Sequence, residues 1–166
     1  AKNKYAAQQL ERQRANHTLS RVYLALAEGH WTNQSKSGLI DRPIEKVPEC
    51  FNRYQVADTG RPSRTEYEVL SEFTYEETPF SLVRLKLQTG RTHQIRVHMA
   101  SLSHPLLGDS IYGHEGFLGF DRAALHSFEI TCQLPGHQDL AVFSSEMPED
   151  FQKMIAKSIN FSSTLI

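Results

Sequence analysis

The chain has 166 residues, of which 39% are hydrophobic and 22% charged, and its formal net charge is −1. This length suits a single domain with its own core, and the composition is ordinary for a globular protein. The balanced charge gives no whole-molecule argument for nucleic acid, so any such partner must be inferred from local clustering. No apolar run is long enough to span a membrane. Cys50 and Cys132 form no CxxC motif, which favours a reducing, cytoplasmic compartment.

The first half of the chain predicts one helix and one buried strand. Residues 3–16 place apolar side chains at helical spacing among charges. Residues 20–28 alternate as a strand does, with Val22, Leu24 and Leu26 on one face and Tyr23, Ala25 and Ala27 on the other. Residues 29–62 are polar and interrupted by Gly and Pro, which predicts a long loop of functional or mobile character.

The second half predicts a hairpin, a short helix, two strands and a final helix. The hairpin joins residues 64–75 to 80–88 across residues 77–79, with Val83, Leu85 and Leu87 facing the core. A helix over 92–103 buries Ile95, Met99 and Leu102 and ends at Pro105. Strands are predicted at 123–133 and 140–144, and a helix at 149–159. The predicted class is α+β, with a mixed, mainly antiparallel sheet and flanking helices.

The segment 90–113 contains Arg91, Arg96 and three histidines around a predicted helix start. No Asp or Glu occurs between residues 80 and 108, although the chain as a whole is slightly acidic. Backbone N–H groups and the helix dipole favour an anion at a helix N-terminus. The sequence therefore predicts a local cationic surface whose first partner to consider is phosphate.

Two enzymatic interpretations of this segment fit poorly. His93 and His98 are five residues apart and so point to different sides of a helix, whereas zinc ligands on a helix are usually four apart. We therefore predict no metal site. Residues 108–113 contain a serine but lack the GxSxG elbow of a hydrolase. Asp109 is better interpreted as a turn residue that hydrogen-bonds nearby backbone.

Arg91, Arg96 and Tyr23 each have a structural and a functional interpretation. Guanidinium groups match the geometry of phosphate or carboxylate, but surface arginines also form ion pairs of little energetic value. The Tyr23 ring lies beside small side chains and could stack on a nucleobase, although a half-buried tyrosine in a strand is common. Spacing alone leaves both alternatives open.

Four segments, taken together, resemble RluA-type pseudouridine synthases. They are 21–29 (RVYLALAEG), 63–70 (SRTEYEVL), 89–113 and 124–128 (ALHSF), in the family's order. The third is similar, almost letter for letter, to the family signature TGRxHQIRVH…HPLLGDxxYG. The similarity covers nearly the whole chain up to about residue 155.

This resemblance implies an isomerase that detaches uracil from a uridine in RNA and rejoins it to ribose through carbon, without cofactor or metal. Tyr23 matches the tyrosine that packs on the target base and takes part in proton transfer. Arg96 matches the arginine that pairs with the catalytic aspartate. Arg91, His93 and Gln94 would shape the pocket wall or hold the RNA backbone. Ribosomal RNA is the expected substrate and tRNA the alternative.

The sequence departs from the family at its nucleophile. The family aspartate lies in an HRLDxxTSG motif upstream of a sequence like the start of this chain, and none of the six aspartates here follows Arg-Leu. We expect residues 1–166 to be part of a catalytic domain, inactive alone, with sheet strands absent and a sheet edge open to another chain. The alternative is a non-catalytic RNA-binding or assembly module.

Overall fold

The computed structural model describes residues 3–16 and 18–164, with side chains described only to residue 159. It confirms the α+β class. The elements in chain order are α1 Lys4–Ala15, β1 Ser20–Glu28, β2 Ser37–Asp41, β3 Ile44–Lys46, β4 Tyr54–Val56, β5 Arg64–Tyr75, β6 Thr78–Leu87, α2 Gln94–Ser101, β7 Leu125–Gln133, β8 Leu140–Ser144 and α3 Glu149–Thr164. None of the described helices has the length and apolar character needed to cross a bilayer.

Six strands form the main sheet in the order β2-β5-β6-β1-β7-β8, and all described pairings are antiparallel. β3 and β4 pair separately as a small hairpin. The outer strands of the main sheet are therefore β2 and β8. The exposed apolar side chains of β8 are Leu140, Val142 and Phe143.

β1 is buried on both faces because each face meets a different layer. Leu24 and Leu26 belong to a cluster that includes Phe151 of α3. Ala25 and Ala27 belong to a second cluster, which includes Ile95 and Met99 of α2. We call these two sides the α3 face and the α2 face. Both alanines are completely buried in that second cluster.

The first helix attaches to the sheet through polar groups. The Asn3 side chain caps α1 by accepting a hydrogen bond from the Ala6 N–H at 2.8 Å. Near its other end, the Gln13 side chain donates to the Gln133 carbonyl at 2.7 Å and accepts from the Gln133 N–H at 2.8 Å. α1 has no buried residue, so this amide pair rather than an apolar face joins it to β7.

The long loop predicted over residues 29–62 is wrong, because this segment contains β2, β3 and β4. Two of the three strands have only three residues, too few to show an alternating pattern. In β2 only Ile40 is buried. The prolines at 43 and 48 lie at or just beyond the ends of β3, where their missing N–H groups interrupt no ladder.

The turn between β5 and β6 also differs from the prediction. The β5–β6 turn lies at Glu76 and Glu77, both at positive φ, and the strand starts at Thr78, before the predicted residue. β6 also buries both faces: Leu82 lies on the α3 face, and Val83 and Leu85 lie on the α2 face.

The helix predicted over 92–103 has only eight residues, 94–101. His93 has φ +54°, a left-handed conformation that does not continue a helix, and Ser103 has φ +66°. Both ends are therefore set by the backbone before Pro105 is reached. Ile95 and Met99 are buried as predicted, whereas Leu102 is only half-buried.

Candidate functional site

The turn before α2 is organised by one buried amide. Gln94 is 2% exposed, and its Oε1 accepts hydrogen bonds from the Thr89 hydroxyl at 2.8 Å and the Arg91 N–H at 3.0 Å. Its Nε2 donates to the Arg64 carbonyl at 2.9 Å and to the Thr65 hydroxyl oxygen at 3.0 Å. All four hydrogen bonds are made to residues of the chain itself, so the buried Gln94 side chain fixes the shape of the turn before α2.

A chain of hydrogen bonds continues from Gln94 across the α2 face. His98 Nε2 lies 2.9 Å from the Arg42 carbonyl, which can only accept, so Nε2 carries a proton. In the neutral ring Nδ1 then accepts from the Thr65 hydroxyl at 2.8 Å. Thr65 is thus both acceptor for Gln94 and donor to His98. Burial lowers the pKa of His98, which keeps the ring neutral in this network.

Arg96 forms a two-pronged ion pair with Asp109. Arg96 Nε lies 2.7 Å from Oδ2 and Nη2 lies 2.5 Å from Oδ1 of a carboxylate that is completely buried. Asp109 Oδ1 also accepts from the N–H groups of Ile111 and Tyr112, as the predicted turn role requires. Asp109 therefore holds both the turn and the guanidinium.

The protonation states of this pair follow from its contacts. Burial by itself would raise the pKa of Asp109, but the Arg96 guanidinium and the two backbone N–H donors outweigh it and the pKa lies below its usual value. The hydrogen bond to Asp109 raises the pKa of Arg96. No described residue accepts a hydrogen bond from Arg96 Nη1, so the guanidinium retains donors for a second anion.

Two tyrosines that the sequence interpretation missed surround His93. The Tyr112 hydroxyl accepts from the Tyr54 N–H at 2.9 Å and lies 3.0 Å from His93 Nδ1. The Arg96 guanidinium lies over the Tyr112 ring, 5.1 Å from its centroid. Burial, followed by the positive charge of Arg96, lowers the pKa of His93. Tyr112 lies in the family signature, which was the available signal, whereas Tyr54 lies in the segment taken for a loop.

Tyr23 lies on the α2 face of β1, half-buried and packed against the cluster that contains Ile95. The register between β1 and β7 shifts between Val22 and Tyr23, so the ring stands beside a β-bulge. Such bulges often redirect side chains near active sites. No described residue forms a hydrogen bond with the Tyr23 hydroxyl. Tyr23 and the helix that carries Arg96 thus share one face of the sheet.

The remaining predicted residues lie at the edge of this site. Arg91 is exposed in the turn before α2, and its Nε donates to the Pro62 carbonyl at 3.2 Å. His104, the third histidine of the segment, bonds the Glu28 carbonyl at 2.8 Å and stacks on Trp31. Within the described residues, no three His, Cys, Asp or Glu side chains are grouped closely enough to hold a metal ion.

Comparison with known proteins places this fold among RNA-modifying domains. The family described as RNA pseudouridylate synthase matches residues 1–101. The chain is 36% identical to ribosomal large subunit pseudouridine synthase D of Nitrosomonas europaea, over 88% of this chain and 43% of that protein. It is 39% identical to the uncharacterized RNA pseudouridine synthase YhcT of Bacillus subtilis, over 93% of this chain and 49% of that protein.

A solved structure agrees with these sequence matches. Human RNA pseudouridylate synthase domain containing 1 superposes with a TM-score of 0.73 at 30% identity, covering 88% of this chain and 62% of that one. The fold is that of the RNA pseudouridylate synthase domain. The chain belongs to the RNA pseudouridylate synthase family. It spans about half the length of the curated relatives that it matches.

Proposed function

We propose that this chain forms one wall of the uridine-binding site of an RNA pseudouridine synthase. Tyr23 packs against the target base and exchanges a proton, and Arg96 orients the attacking carboxylate of an aspartate that residues 1–166 do not contain in the family motif. Family membership supports this proposal. The single observation that carries it is the Arg96–Asp109 pair, in which a buried carboxylate fixes the guanidinium while Nη1 stays available.

The proposed reaction is an isomerisation and needs no other reactant. The C1′–N1 bond of uridine breaks, uracil turns, and a C1′–C5 bond forms. The C5 proton leaves to solvent and N1 gains a proton, so the atoms balance. Such an enzyme must take the target nucleotide out of its stack. A tyrosine ring on a rigid strand then replaces part of the lost stacking, at about 1–3 kcal/mol per base.

Arg91, His93 and Gln94 have different parts in this proposal. Arg91 is exposed and holds the RNA backbone, while His93 shapes the wall through the Tyr112 hydroxyl at 3.0 Å. Gln94 contributes indirectly, because its amide group is hydrogen-bonded within the turn that carries Arg91. Ribosomal RNA is the favoured substrate since the relatives named above include ribosomal large subunit enzymes, and tRNA is the alternative.

The test uses the complete translation product of the gene and measures loss of the C5 proton from uridine in RNA. Tyr23→Phe should slow the reaction, because it removes the hydroxyl proposed to exchange a proton. It should leave stability unchanged, because no described residue hydrogen-bonds to that hydroxyl. Arg96→Ala leaves the Asp109 carboxylate buried and unpaired, so Arg96→Lys is the companion variant: it keeps the charge and loses the two-pronged geometry. Unchanged rates in both Tyr23→Phe and Arg96→Lys would reject these roles.

A second candidate function is an RNA-binding module without isomerase activity. It rests on the sequence fact that none of the six aspartates follows Arg-Leu. Reading the gene upstream of Ala1 separates the two candidates. An Arg-Leu-Asp motif there supports the enzyme, and a start codon directly before Ala1 supports the module. Under either function residues 1–166 alone are expected to be inactive.

We also propose that outer strand β8 pairs with a second copy of the chain. Charged residues and prolines usually prevent an outer strand from pairing with another chain. β8 contains neither, and Val142 is 61% exposed. The experiment is sedimentation of the chain beside its Val142→Lys variant. A dimer that the lysine dissociates supports the pairing, and a monomer in both rejects it.

The free thiols Cys50 and Cys132 support a cytoplasmic location, which fractionation of cells would test.

A further inference from the structure

A cleft beside the α2 face opens between α1, the β3–β4 hairpin and the turn before α2. Its volume is about 610 Å³. A single carboxylate, that of Glu45, lines it. The four cationic side chains that line it are those of Arg14, Lys46, Arg61 and Arg91. The Glu45 carboxylate already accepts hydrogen bonds from Thr59 and Gln55, at 2.7 and 3.1 Å. The lining is therefore strongly cationic.

Three of these cations are not neutralised within the chain. Arg14 pairs with Glu11, whereas Lys46, Arg61 and Arg91 form no ion pair with any described carboxylate. Like charges held together repel one another and destabilise a fold, and a bound anion relieves this repulsion. Several unpaired cations in one cleft therefore indicate a binding site for a polyanion.

The backbone that carries two of the cations is rigid. Arg61 exchanges two backbone hydrogen bonds with Ile44, at 2.8 and 3.0 Å. Gly60 permits this approach, since a Cβ there would lie 2.6 Å from the Ile44 carbonyl carbon. Arg91 is held by Gln94 and Pro62. The backbone of Arg61 and both the backbone and the side chain of Arg91 are thus held before binding, which reduces the entropy lost on binding.

A second cleft of about 240 Å³ adjoins the first and shares Arg14, Gly90 and Arg91 with it. Arg21 lines this extension and donates to the Thr89 carbonyl at 3.1 Å. Gly90 leaves the space that Arg21 occupies, because a Cβ at Gly90 would lie 2.7 Å from Arg21 Nη1. The one carboxylate that lines this extension, that of Glu11, pairs with Arg14, so Arg21 and Arg91 continue the cationic lining past the turn.

We propose that this double cleft binds the phosphates of the RNA strand next to the target uridine; this rests on the proposed function above. Arg91 connects the clefts to the proposed uridine site, because it lines both clefts and lies three residues before Gln94, the first residue of α2. Tyr54, which also lines the larger cleft, supplies an aromatic ring of the kind that accompanies cations in single-strand sites. The occupant is a nucleic-acid strand rather than a free phosphate, because the cations are spread along a track.

The test measures binding of the 166-residue chain to a uridine-containing RNA stem-loop by fluorescence anisotropy over a range of salt concentrations. Arg61→Ala and Lys46→Ala should each weaken binding several-fold and reduce the slope of log K against log salt by about 0.7–0.9, the value for one lost phosphate contact. Arg61→Lys should retain most of the slope. Lys157→Ala, at an exposed position of α3 on the other side of the sheet, is the matched control and should change neither.

Each other result overturns the inference. If Arg61→Ala and Lys46→Ala behave like Lys157→Ala while the chain still binds RNA, the cleft is not the track, and the uridine site of the proposed function is untouched. If inorganic phosphate at the same phosphate concentration displaces the RNA, the cleft holds a free anion. If the chain shows no salt-dependent RNA binding, there is no track. Loss of isomerisation in the Tyr23 variant bears only on the proposed function.

Discussion

The α3 face and the α2 face of β1 bury different kinds of side chain. The α3 face is a packed apolar layer in which Leu26, Phe80 and Phe151 are completely buried. The α2 face also buries polar groups, among them Gln94, His98 and Asp109, each with hydrogen-bond partners. Apolar packing tolerates rearrangement, whereas a buried polar group must keep its partners in place. The α3 face supplies stability, and the α2 face adds the orientation that a site needs.

The largest expected effect comes from comparing one deletion on each face. Asp109→Ala leaves the Arg96 charge without its buried partner and should cost about 3–5 kcal/mol in the free energy of unfolding. Phe151→Ala empties part of the α3 face and should cost a similar 3–5 kcal/mol. Only Asp109→Ala should also reduce isomerisation per folded molecule, by roughly 100-fold, because it displaces Arg96.

Denaturant unfolding and uridine isomerisation, both measured on the complete translation product, check this pair. The rate is compared at a temperature where each variant is folded. Equal loss of rate in the two variants would mean that the rate follows stability alone, and that the α2 face has no special role.

A smaller effect is expected from the hydroxyl at the centre of the polar network. Thr65→Val removes one of the two acceptors of Gln94 Nε2 and the donor to His98, and it should cost about 1–3 kcal/mol in the free energy of unfolding. Thr131→Val on β7 is the matched control. No described residue hydrogen-bonds to the Thr131 hydroxyl, so we expect a change within about 0.5 kcal/mol. Equal unfolding midpoints for the two variants would contradict the network.

The smallest effect is a dependence of stability on pH. Burial lowers the pKa of His98 in the folded chain, so the unfolded chain binds more protons as the pH falls below the ordinary histidine pKa of about 6.5. Stability should therefore decrease from pH 7 to pH 5. Urea unfolding at the two pH values should show a smaller decrease in His98→Gln than in His137→Gln, an exposed control. The reverse order would contradict the neutral His98.

The fold was predictable where one physical signal dominated. The 20–28 strand was predicted with its observed bounds because alternating apolar side chains bury both faces of β1. The β3–β4 hairpin was missed because Ile44 is its one fully buried side chain and the rest is set by backbone pairing. α2 is shorter than predicted because His93 has a left-handed conformation, which the apolar spacing of residues 92–103 does not reveal.

The candidate site was predictable as a set of residues but not as a set of contacts. The cationic segment indicated Arg91 and Arg96, and a turn role for Asp109 was expected. The ion pair between Arg96 and Asp109 could not be derived, because it joins a helix to a turn thirteen residues later. Gln94 was taken for a wall or RNA contact, and only the structure reveals that its amide is spent internally.

The position of the bound uracil tests the proposed function most directly. A crystal structure of the complete translation product with a short uridine-containing RNA measures this directly. We predict a uracil ring stacked on Tyr23, with the Arg96 guanidinium beside it on the α2 face. Uracil bound on the α3 face, or away from the Tyr23 ring, would contradict the proposed roles of Tyr23 and Arg96.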